Sequence, residues 1–189
     1  IFSPDRYSIW TMQSQYHNLP TVNGVMQAPG RSFAARDLQY SATDDAVTFA
    51  LDIAGAYPPE AGLQSWRRRF VFDRRAGTVE VTDNWQFDQQ PGAVVVLHLL
   101  TPSQVSVAES GVITLGAAAL PGGRRSGELV LTVTPAAGDL QVETIPVTDG
   151  NLRGVWGDSL NRLVFSIAAP GVSGRFQMSF APCPASQRD

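Results

Sequence analysis

The 189-residue sequence contains no lysine, one cysteine and two histidines, and these shortages limit the kinds of cross-link, partner and active site that the chain can have. Cys183 has no second cysteine to pair with, so no intramolecular disulfide can hold the fold. All fourteen basic residues are arginine, and against seventeen acidic residues they leave a net charge of −3. That balance argues against nucleic acid as a partner, because such binding depends on a concentrated positive field.

Long hydrophobic runs and helical periodicity are missing as well. No stretch approaches the roughly 18 apolar residues that cross a bilayer, so no membrane partner is expected. A chain of 189 residues can nevertheless bury a sizeable core in one domain. We expect that domain to span residues 1–181, followed by a short C-terminal tail over 182–189. The chain has no initiating methionine and opens in strand-like sequence, and we expect it to be a piece of a longer protein.

Apolar and polar residues alternate with period two along most of the chain, which is typical of half-buried β-strands. Glycine, proline or aspartate separates nearly all of these segments. The pattern predicts an all-β fold, an antiparallel two-sheet sandwich with little helix. The predicted strands cover residues 7–12, 33–40, 47–53, 93–100, 104–108, 112–115, 128–134, 141–147, 160–168 and 175–180, together with a hairpin over 64–87.

The hairpin is the clearest of these elements, and its turn lies at residues 74–77. Counting outward from the turn puts Trp66 opposite Trp85 and Arg68 opposite Asp83, all on the core face. Removing a guanidinium from water without a partner costs several kcal/mol, so the facing carboxylate is the expected partner. Arg68 and Asp83 are therefore predicted to form a buried structural pair.

The opposite face of the hairpin carries Arg67 and Arg69, which meet Asn84 and Thr82 and are expected to lie in solvent. Three consecutive arginines would otherwise suggest a patch for polyanions. Because Arg68 is committed to the core, a structural role for this cluster is the favoured interpretation.

His98 and Trp156 each have a structural and a functional interpretation. His98 lies in the apolar strand 93–100, where a core histidine with one satisfied nitrogen is favoured over a catalytic one, because nothing titratable lies nearby in sequence. The connection 149–159 is a candidate for a helical turn or for a sugar-stacking Trp156. A tryptophan at the edge of the core is favoured, since tryptophan is usually mostly buried.

The densest run of unusual residues is 16–24, which contains His17, Asn18 and the turn signal Asn23-Gly24. A neutral imidazole beside a turn offers a lone pair near physiological pH, so it can bind a metal or move a proton. It can equally be a buried ring whose N–H is satisfied by a carbonyl group. No second ligand stands at metal spacing and no carboxylates are paired, so the residues alone contain no complete active site.

This run resembles a signature in the C-terminal β domain of the heparinase II/III-type polysaccharide lyases. In both, His-Asn is followed after four residues by Asn or Asp and then by Gly, and Gln27 lies just beyond. Leu19 stands where the signature has Thr, and Asn23 where it has Asp. Shorter similarities extend the resemblance over most of the chain, and they are Tyr7 with Trp10, residues 33–37, residues 66–68 with 81–83, and His98-Leu99.

The resemblance implies a larger protein in which an N-terminal helical toroid domain, absent from this chain, precedes the β-sheet domains. It implies β-elimination at a uronic acid of an acidic polysaccharide. In that reaction a base removes the C5 proton and an acid assists departure of the C4-linked sugar. A periplasmic or secreted location is implied as well.

Site residues follow from the same resemblance. His17 corresponds to a zinc ligand whose His and Asp partners would lie upstream of this chain, and Asn18 beside it to a substrate-binding residue. Tyr7 and Tyr16 are the nearby phenols available to serve as acid or base. Zinc is therefore expected in the full-length parent, with no cofactor and no turnover in this chain alone.

Two other interpretations stay open beside that of a lyase fragment. One is a non-catalytic sandwich that binds carbohydrate through exposed aromatic and arginine side chains. The other is a purely structural domain that packs against a helical partner through a large apolar surface patch.

Overall fold

The computed structural model describes residues 3–88, 92–135, 139–167 and 171–183. Residue 168 of the predicted strand 160–168 and residues 184–189 of the expected tail lie outside these ranges. The strands are β1 Thr21–Val22, β2 Arg36–Ala42, β3 Ala46–Asp52, β4 Leu63–Asp73, β5 Thr78–Phe87, β6 Val95–Thr101, β7 Val105–Val107, β8 Ile113–Leu115, β9 Ala119–Leu120, β10 Arg124–Arg125, β11 Leu129–Thr134, β12 Asp139–Pro146, β13 Ser159–Ile167 and β14 Ser173–Pro182. The helical elements are the α-helix α1, Gly150–Trp156, and the short 3₁₀ helices Pro4–Ser8, Trp10–Met12, Ser14–Tyr16, Ala54–Ala56, Pro59–Ala61 and Pro121–Gly123.

Two antiparallel sheets enclose one hydrophobic core. The larger sheet has eight strands in the order β2-β3-β4-β5-β14-β11-β8-β7, and the smaller has four in the order β1-β6-β13-β12. β9 and β10 form a separate two-stranded ribbon. The fully buried core side chains come from both sheets, and they include Trp66, Ile113, Leu131 and Phe176 from the larger and Val22, Val95, Leu97, Leu163 and Phe165 from the smaller. The predicted antiparallel sandwich with little helix is confirmed.

The β4–β5 hairpin has the register expected from its turn. Trp66 pairs with Trp85 and Arg68 with Asp83. The two indoles stack with ring centroids 5.0 Å apart, and Nε of Arg68 lies 2.7 Å from Oδ1 of Asp83. Because Asp83 is fully buried, the predicted structural pair is confirmed as an ion pair inside the core.

The predicted N-terminal strand over residues 7–12 is wrong. Residues 4–16 form three successive 3₁₀ turns, separated by the extended residues Ile9 and Gln13. A proline at the start of the first turn favours this outcome, because it has no N–H for a sheet and its fixed φ suits a helical turn. The segment crosses the outer face of the smaller sheet, where the guanidinium carbon of Arg162 lies 4.5 Å from the ring centroid of Tyr16.

The connection between β12 and β13 holds α1, so the helical-turn alternative is confirmed there. Asp149 caps the helix, since its Oδ1 accepts hydrogen bonds from the backbone N–H groups of Asn151 and Leu152, both at 2.9 Å. Trp156 ends the helix and is 39% exposed, which is more than expected of a tryptophan at the core edge. No helix in the described ranges is long and apolar enough to cross a membrane.

Candidate functional site

The two asparagines of the 16–24 run hold β1 in the smaller sheet. Asn18 and Asn23 have positive φ values of 58° and 53°, a conformation that asparagine tolerates better than most residues. Their Oδ1 atoms accept hydrogen bonds from the backbone N–H groups of Leu100 at 2.7 Å and Val94 at 2.9 Å, near the two ends of the neighbouring β6. The run therefore fixes the backbone on both sides of β1 and with it the position of the histidine that precedes Asn18.

His17 is exposed, and one of its ring nitrogens is already committed. Nε2 lies 2.9 Å from the backbone carbonyl oxygen of Thr11. Since a carbonyl oxygen only accepts hydrogen bonds, Nε2 carries the proton and Nδ1 carries the lone pair. A backbone carbonyl orients many metal-ligating histidines in this way. The structural interpretation of His17 predicted a buried ring with its N–H bonded to a carbonyl group. The bond to a carbonyl is present, but the ring is exposed.

The first of three pockets lined by His17, the aromatic pocket, lies between the N-terminal 3₁₀ turns and α1. Its volume is about 300 Å³, and Trp10, Tyr16 and Trp156 line it together with aliphatic side chains. Trp10 and Tyr16 pack edge to face with ring centroids 5.1 Å apart. A pocket walled by amphipathic rings of this kind can take the apolar face of a sugar.

The second, the inter-sheet pocket, has a volume of about 520 Å³. Its lining is mainly apolar and comes mostly from β3, β4, β5 and β14, with Leu99 from the smaller sheet. His17, Asn18 and Arg68 also line it. Asn18 is tied to the core ion pair at this point, because its backbone carbonyl accepts a hydrogen bond from Nη1 of Arg68 at 2.7 Å.

The third pocket, of about 290 Å³, brings Tyr7 to His17 together with Met12 and Ser14. The structure thus places each of the two phenols suggested by the resemblance in a pocket that His17 also lines, Tyr16 in the aromatic pocket and Tyr7 in the third.

The buried ion pair beneath the inter-sheet pocket is fully hydrogen-bonded on its acidic side. Asp83 accepts from Nε and Nη2 of Arg68 at 2.7 and 2.8 Å and from the indole Nε1 of Trp66 at 2.7 Å. Burial by itself would lower the pKa of Arg68, but the facing carboxylate outweighs it and raises the pKa above its ordinary value. The guanidinium therefore keeps its charge inside the core.

Tyr57 is a buried phenol that the sequence pattern did not single out. It is 5% exposed, and its hydroxyl donates to the backbone carbonyl of Pro20 at 2.6 Å. Burial raises the pKa of Tyr57 well above its ordinary value, against the opposing effect of the Arg68 charge. Tyr57 therefore stays protonated and anchors the 16–24 run to the connection between β3 and β4.

His98 is buried with one nitrogen satisfied, as predicted, but it lies on the face of β6 opposite the core residues Val95 and Leu97. It is buried, with Nε2 lying 3.2 Å from Oγ1 of Thr21, while Nδ1 has no hydrogen-bond partner among the described residues. Burial and, to a smaller extent, the charge of Arg162 lower the pKa of His98 to about 4, with Glu143 partly opposing them. The ring is therefore neutral near physiological pH.

We expect acid to destabilise the fold through His98. Its folded pKa lies below the ordinary value of 6.5, so the unfolded state takes up the proton first and stability falls as the pH drops from about 6.5 towards 4. Near pH 5 this group should account for a loss of roughly 1–2 kcal/mol. Urea unfolding of the wild type and of His98→Gln near pH 7 and pH 5 measures it, and the variant should lose less stability. Equal losses in the two proteins would contradict the assignment.

The described ranges contain no group of three or more His, Cys, Asp or Glu side chains that could hold a metal ion. His17 fits the role of one ligand, because its Nδ1 lone pair is available and its other nitrogen is held by a carbonyl. The described residues do not fit a complete zinc site, which needs three or four ligands.

Fold and site together define an antiparallel β-sandwich domain that carries part of a site, with an exposed imidazole at three pockets but no complete metal centre in the described residues. Among solved structures with this fold is heparan sulfate lyase HepC from Pedobacter heparinus. The TM-score is 0.69 at 14% sequence identity, over 99% of this chain and 28% of that chain. Heparinase III, the BT4657 gene product, matches with a TM-score of 0.67 at 12% identity, over 94% of this chain and 25% of that chain.

These matches confirm, at the level of the fold, the resemblance to heparinase II/III-type proteins that the 16–24 run suggests. The chain spans about a quarter of the length of these two solved structures. No protein-family model and no curated protein sequence matches it.

Proposed function

We propose that this chain is the β-sandwich domain of a polysaccharide lyase that acts by β-elimination on a uronic-acid-containing polysaccharide, and that it is inactive alone. The observation that carries the proposal is the match of nearly the whole chain to about a quarter of heparan sulfate lyase HepC. The 16–24 run supports it independently, since a sequence motif and a fold comparison lead to the same class of protein. The partner in this proposal is an N-terminal helical toroid domain of the same protein.

The proposed reaction breaks the C5–H and C4–O bonds of the uronic acid. A base removes the C5 proton, the electrons of that bond form the C4–C5 double bond, and an acid protonates the departing O4. Tyr7 and Tyr16 are the proposed candidates for acid and base, because each lines a pocket with His17. Asn18 is proposed to bind substrate through its amide NH₂ group, since its Oδ1 is occupied by the N–H of Leu100.

His17 is the proposed ligand of a zinc ion whose other ligands come from outside this chain. The proposal is supported by the Nδ1 lone pair and by the carbonyl bond that orients the ring. A zinc ion held there would supply fixed positive charge beside an acidic polysaccharide.

Incubation with heparin, heparan sulfate and alginate tests the proposal. The product has a C4–C5 double bond conjugated to the carboxylate, so ultraviolet absorbance follows its formation. We expect no product from the 189-residue chain and steady product formation by the longer protein encoded by the same gene. The longer protein should contain zinc and should lose most of it in the His17→Ala variant, because one ligand is removed.

The matched control for His17→Ala is His98→Gln in the same longer protein. His98 is buried and lines none of the three pockets, so this variant should keep both its zinc and its activity. If the longer protein forms no unsaturated product from any of the three polysaccharides, or if the 189-residue chain forms it alone, the proposal is wrong.

A second candidate function is non-catalytic carbohydrate binding, which the aromatic pocket favours. Trp10, Tyr16 and Trp156 line one open pocket, and Trp156 is 39% exposed. The same incubations separate the two functions. Binding of sugars by both proteins without turnover in either, weakened by Trp156→Ala, would favour the binding module.

A further inference from the structure

The outer face of the larger sheet carries a set of arginines in register. Strand pairing lines up Arg36, Asp52, Arg67, Asn84 and Arg175 in one row across β2, β3, β4, β5 and β14. In the next row, Arg69 lies between Ala50 and Thr82. We call Arg36, Arg67, Arg69 and Arg175 the arginine face.

This face points away from the pockets at His17. Side chains alternate between the two faces of a strand, so Arg67 and Arg69 lie on the opposite side of β4 from Arg68, which lines the inter-sheet pocket. A ligand on the arginine face would therefore be separated by the sheet from that pocket.

None of the four arginines has an ion-pair partner among the described residues, whereas Arg68, Arg75, Arg153 and Arg162 are each paired with a carboxylate. Three of the four, Arg36, Arg69 and Arg175, are exposed, and Arg67 is half-buried. In a chain with a net charge of −3, this leaves a local excess of positive charge.

The two acids on this part of the face already accept hydrogen bonds from their own surroundings. Oδ1 of Asp52 accepts from the backbone N–H groups of Ala54 and Trp66 at 2.9 and 3.0 Å. Glu80 accepts from the hydroxyl of Thr82 at 3.2 Å and from the amide of Gln177 at 2.8 Å. Both carboxylates are thereby held in local contacts. Nη2 of Arg175 donates a hydrogen bond to Oε1 of Gln177 at 2.8 Å, and Nη2 of Arg69 donates a long one to Oγ1 of Thr48 at 3.5 Å. These contacts are to neutral groups, so the four guanidinium charges keep no counter-ion among the described residues and each group keeps N–H donors for a ligand.

Strand geometry sets the spacing of these charges. Neighbouring strands lie about 4.8 Å apart, so the Cα atoms of Arg36 and Arg67, and those of Arg67 and Arg175, are separated by roughly 10 Å. Arg67 and Arg69, two residues apart along β4, are separated by roughly 7 Å. An array at these spacings suits an extended polymer that carries anions at intervals, since one small anion cannot reach all four groups.

The neighbouring side chains favour a sugar polymer over a nucleic acid. Amide and hydroxyl groups surround the arginines, and they belong to Gln39, Thr48, Asn84, Thr82 and Gln177. Thr48, Thr82 and Gln177 already make hydrogen bonds within the face, so the amides of Gln39 and Asn84 are the groups left for sugar hydroxyls. The aromatic residues of these strands lie on the opposite, core-facing side, as the pairing of Phe49 with Phe70 and of Trp66 with Trp85 shows. The face therefore has no ring on which a base could stack, which single-stranded nucleic acids need.

We infer that the arginine face binds an extended acidic polysaccharide through its carboxylate or sulfate groups, as a second site separate from the pockets at His17. The choice of an acidic polysaccharide as the ligand rests on the proposed function. The location of the binding surface is argued from the strand register and the charges alone.

Calorimetric titration of the 189-residue chain with size-defined heparin and alginate oligosaccharides tests this inference. The variant Arg67→Gln/Arg69→Gln/Arg175→Gln removes three charges from the face. Its matched control, Arg74→Gln/Arg75→Gln/Arg153→Gln, removes three charges elsewhere and changes the net charge equally. We expect the face variant to bind about tenfold more weakly or worse, with a flatter salt dependence, and the control to bind within about twofold of wild type. Circular dichroism checks that both variants fold.

Binding of heparin alone would assign sulfates as the recognised groups, and binding of both oligosaccharides would assign carboxylates. Equal loss in the two triple variants would overturn the inference, because it would reflect net charge only. The inference would also be overturned if the wild type bound neither oligosaccharide, or if it bound single-stranded DNA of the same charge more tightly than the oligosaccharides. If the 189-residue chain binds neither oligosaccharide but the longer protein still carries out elimination, the inference about the arginine face is wrong and the proposed function is unaffected. If the chain binds through the arginine face but the longer protein carries out no elimination, only the proposed function is wrong.

Discussion

Replacing Asp83 with alanine is expected to lower the free energy of unfolding by about 3–5 kcal/mol, because it leaves a charged guanidinium unpaired in the core. Asp83 is fully buried and accepts hydrogen bonds from Arg68 and from the indole of Trp66. Water cannot replace these contacts unless the sandwich opens. Urea unfolding followed by circular dichroism measures the loss, and a loss of this size would remove a large part of the stability of an ordinary domain.

Two further variants separate this mechanism from general damage to the core. Arg68→Met/Asp83→Leu removes both charges, so it should lose less stability than Asp83→Ala alone, although Trp66 also loses its acceptor. Asp45→Ala breaks an exposed ion pair in which the Arg75 and Asp45 side chains are 81% and 63% exposed, and it should leave stability nearly unchanged. If Asp83→Ala and Asp45→Ala lowered the free energy of unfolding by similar amounts, burial of the ion pair would not be the cause of the loss in Asp83→Ala.

This ion pair also shows how much of the fold could be predicted from the sequence. Period-two alternation is a local signal, and the register of a hairpin follows from the position of its turn. Counting residues from the turn therefore predicted that Arg68 lies opposite Asp83. Pairing between distant strands gives no such local signal. β14 inserts between β5 and β11, and this insertion is what brings Arg175 into the row of Arg67.

The candidate site was predictable only in part, for the same reason. The 16–24 run indicated a site, but the role of Asn18 depends on a hydrogen bond to Leu100, 82 residues away. The aromatic pocket depends on short 3₁₀ turns, which have too few residues to show a period, and on α1, which brings Trp156 to Trp10. Trp10, Tyr16 and Trp156 each stood out in the sequence, but no local pattern indicated that they meet in one pocket.

Replacing Gly174 with alanine is expected to lower the free energy of unfolding by about 3 kcal/mol, near the upper end for an overpacked core. Gly174 pairs with Trp85 across β14 and β5, and a Cβ atom there would lie 2.3 Å from Cζ2 of the Trp85 indole. The ring cannot move aside easily, because it is buried and stacked on Trp66 at 5.0 Å. Gly174 does not have positive φ, so the expected loss comes from contact with the indole and not from backbone strain.

Urea unfolding of Gly174→Ala, Trp85→Phe, the double variant and the control Gly154→Ala tests this account. Gly154→Ala, in α1, adds the same methyl group where no atom lies within 4 Å, and it should raise stability slightly because alanine favours a helix. Trp85→Phe combined with Gly174→Ala should lose less than the sum of the two single changes, since the smaller ring makes room for the added methyl group. If the two changes are additive, the indole does not oppose the methyl group, and the close packing of β14 on Trp85 is not what requires glycine at this position.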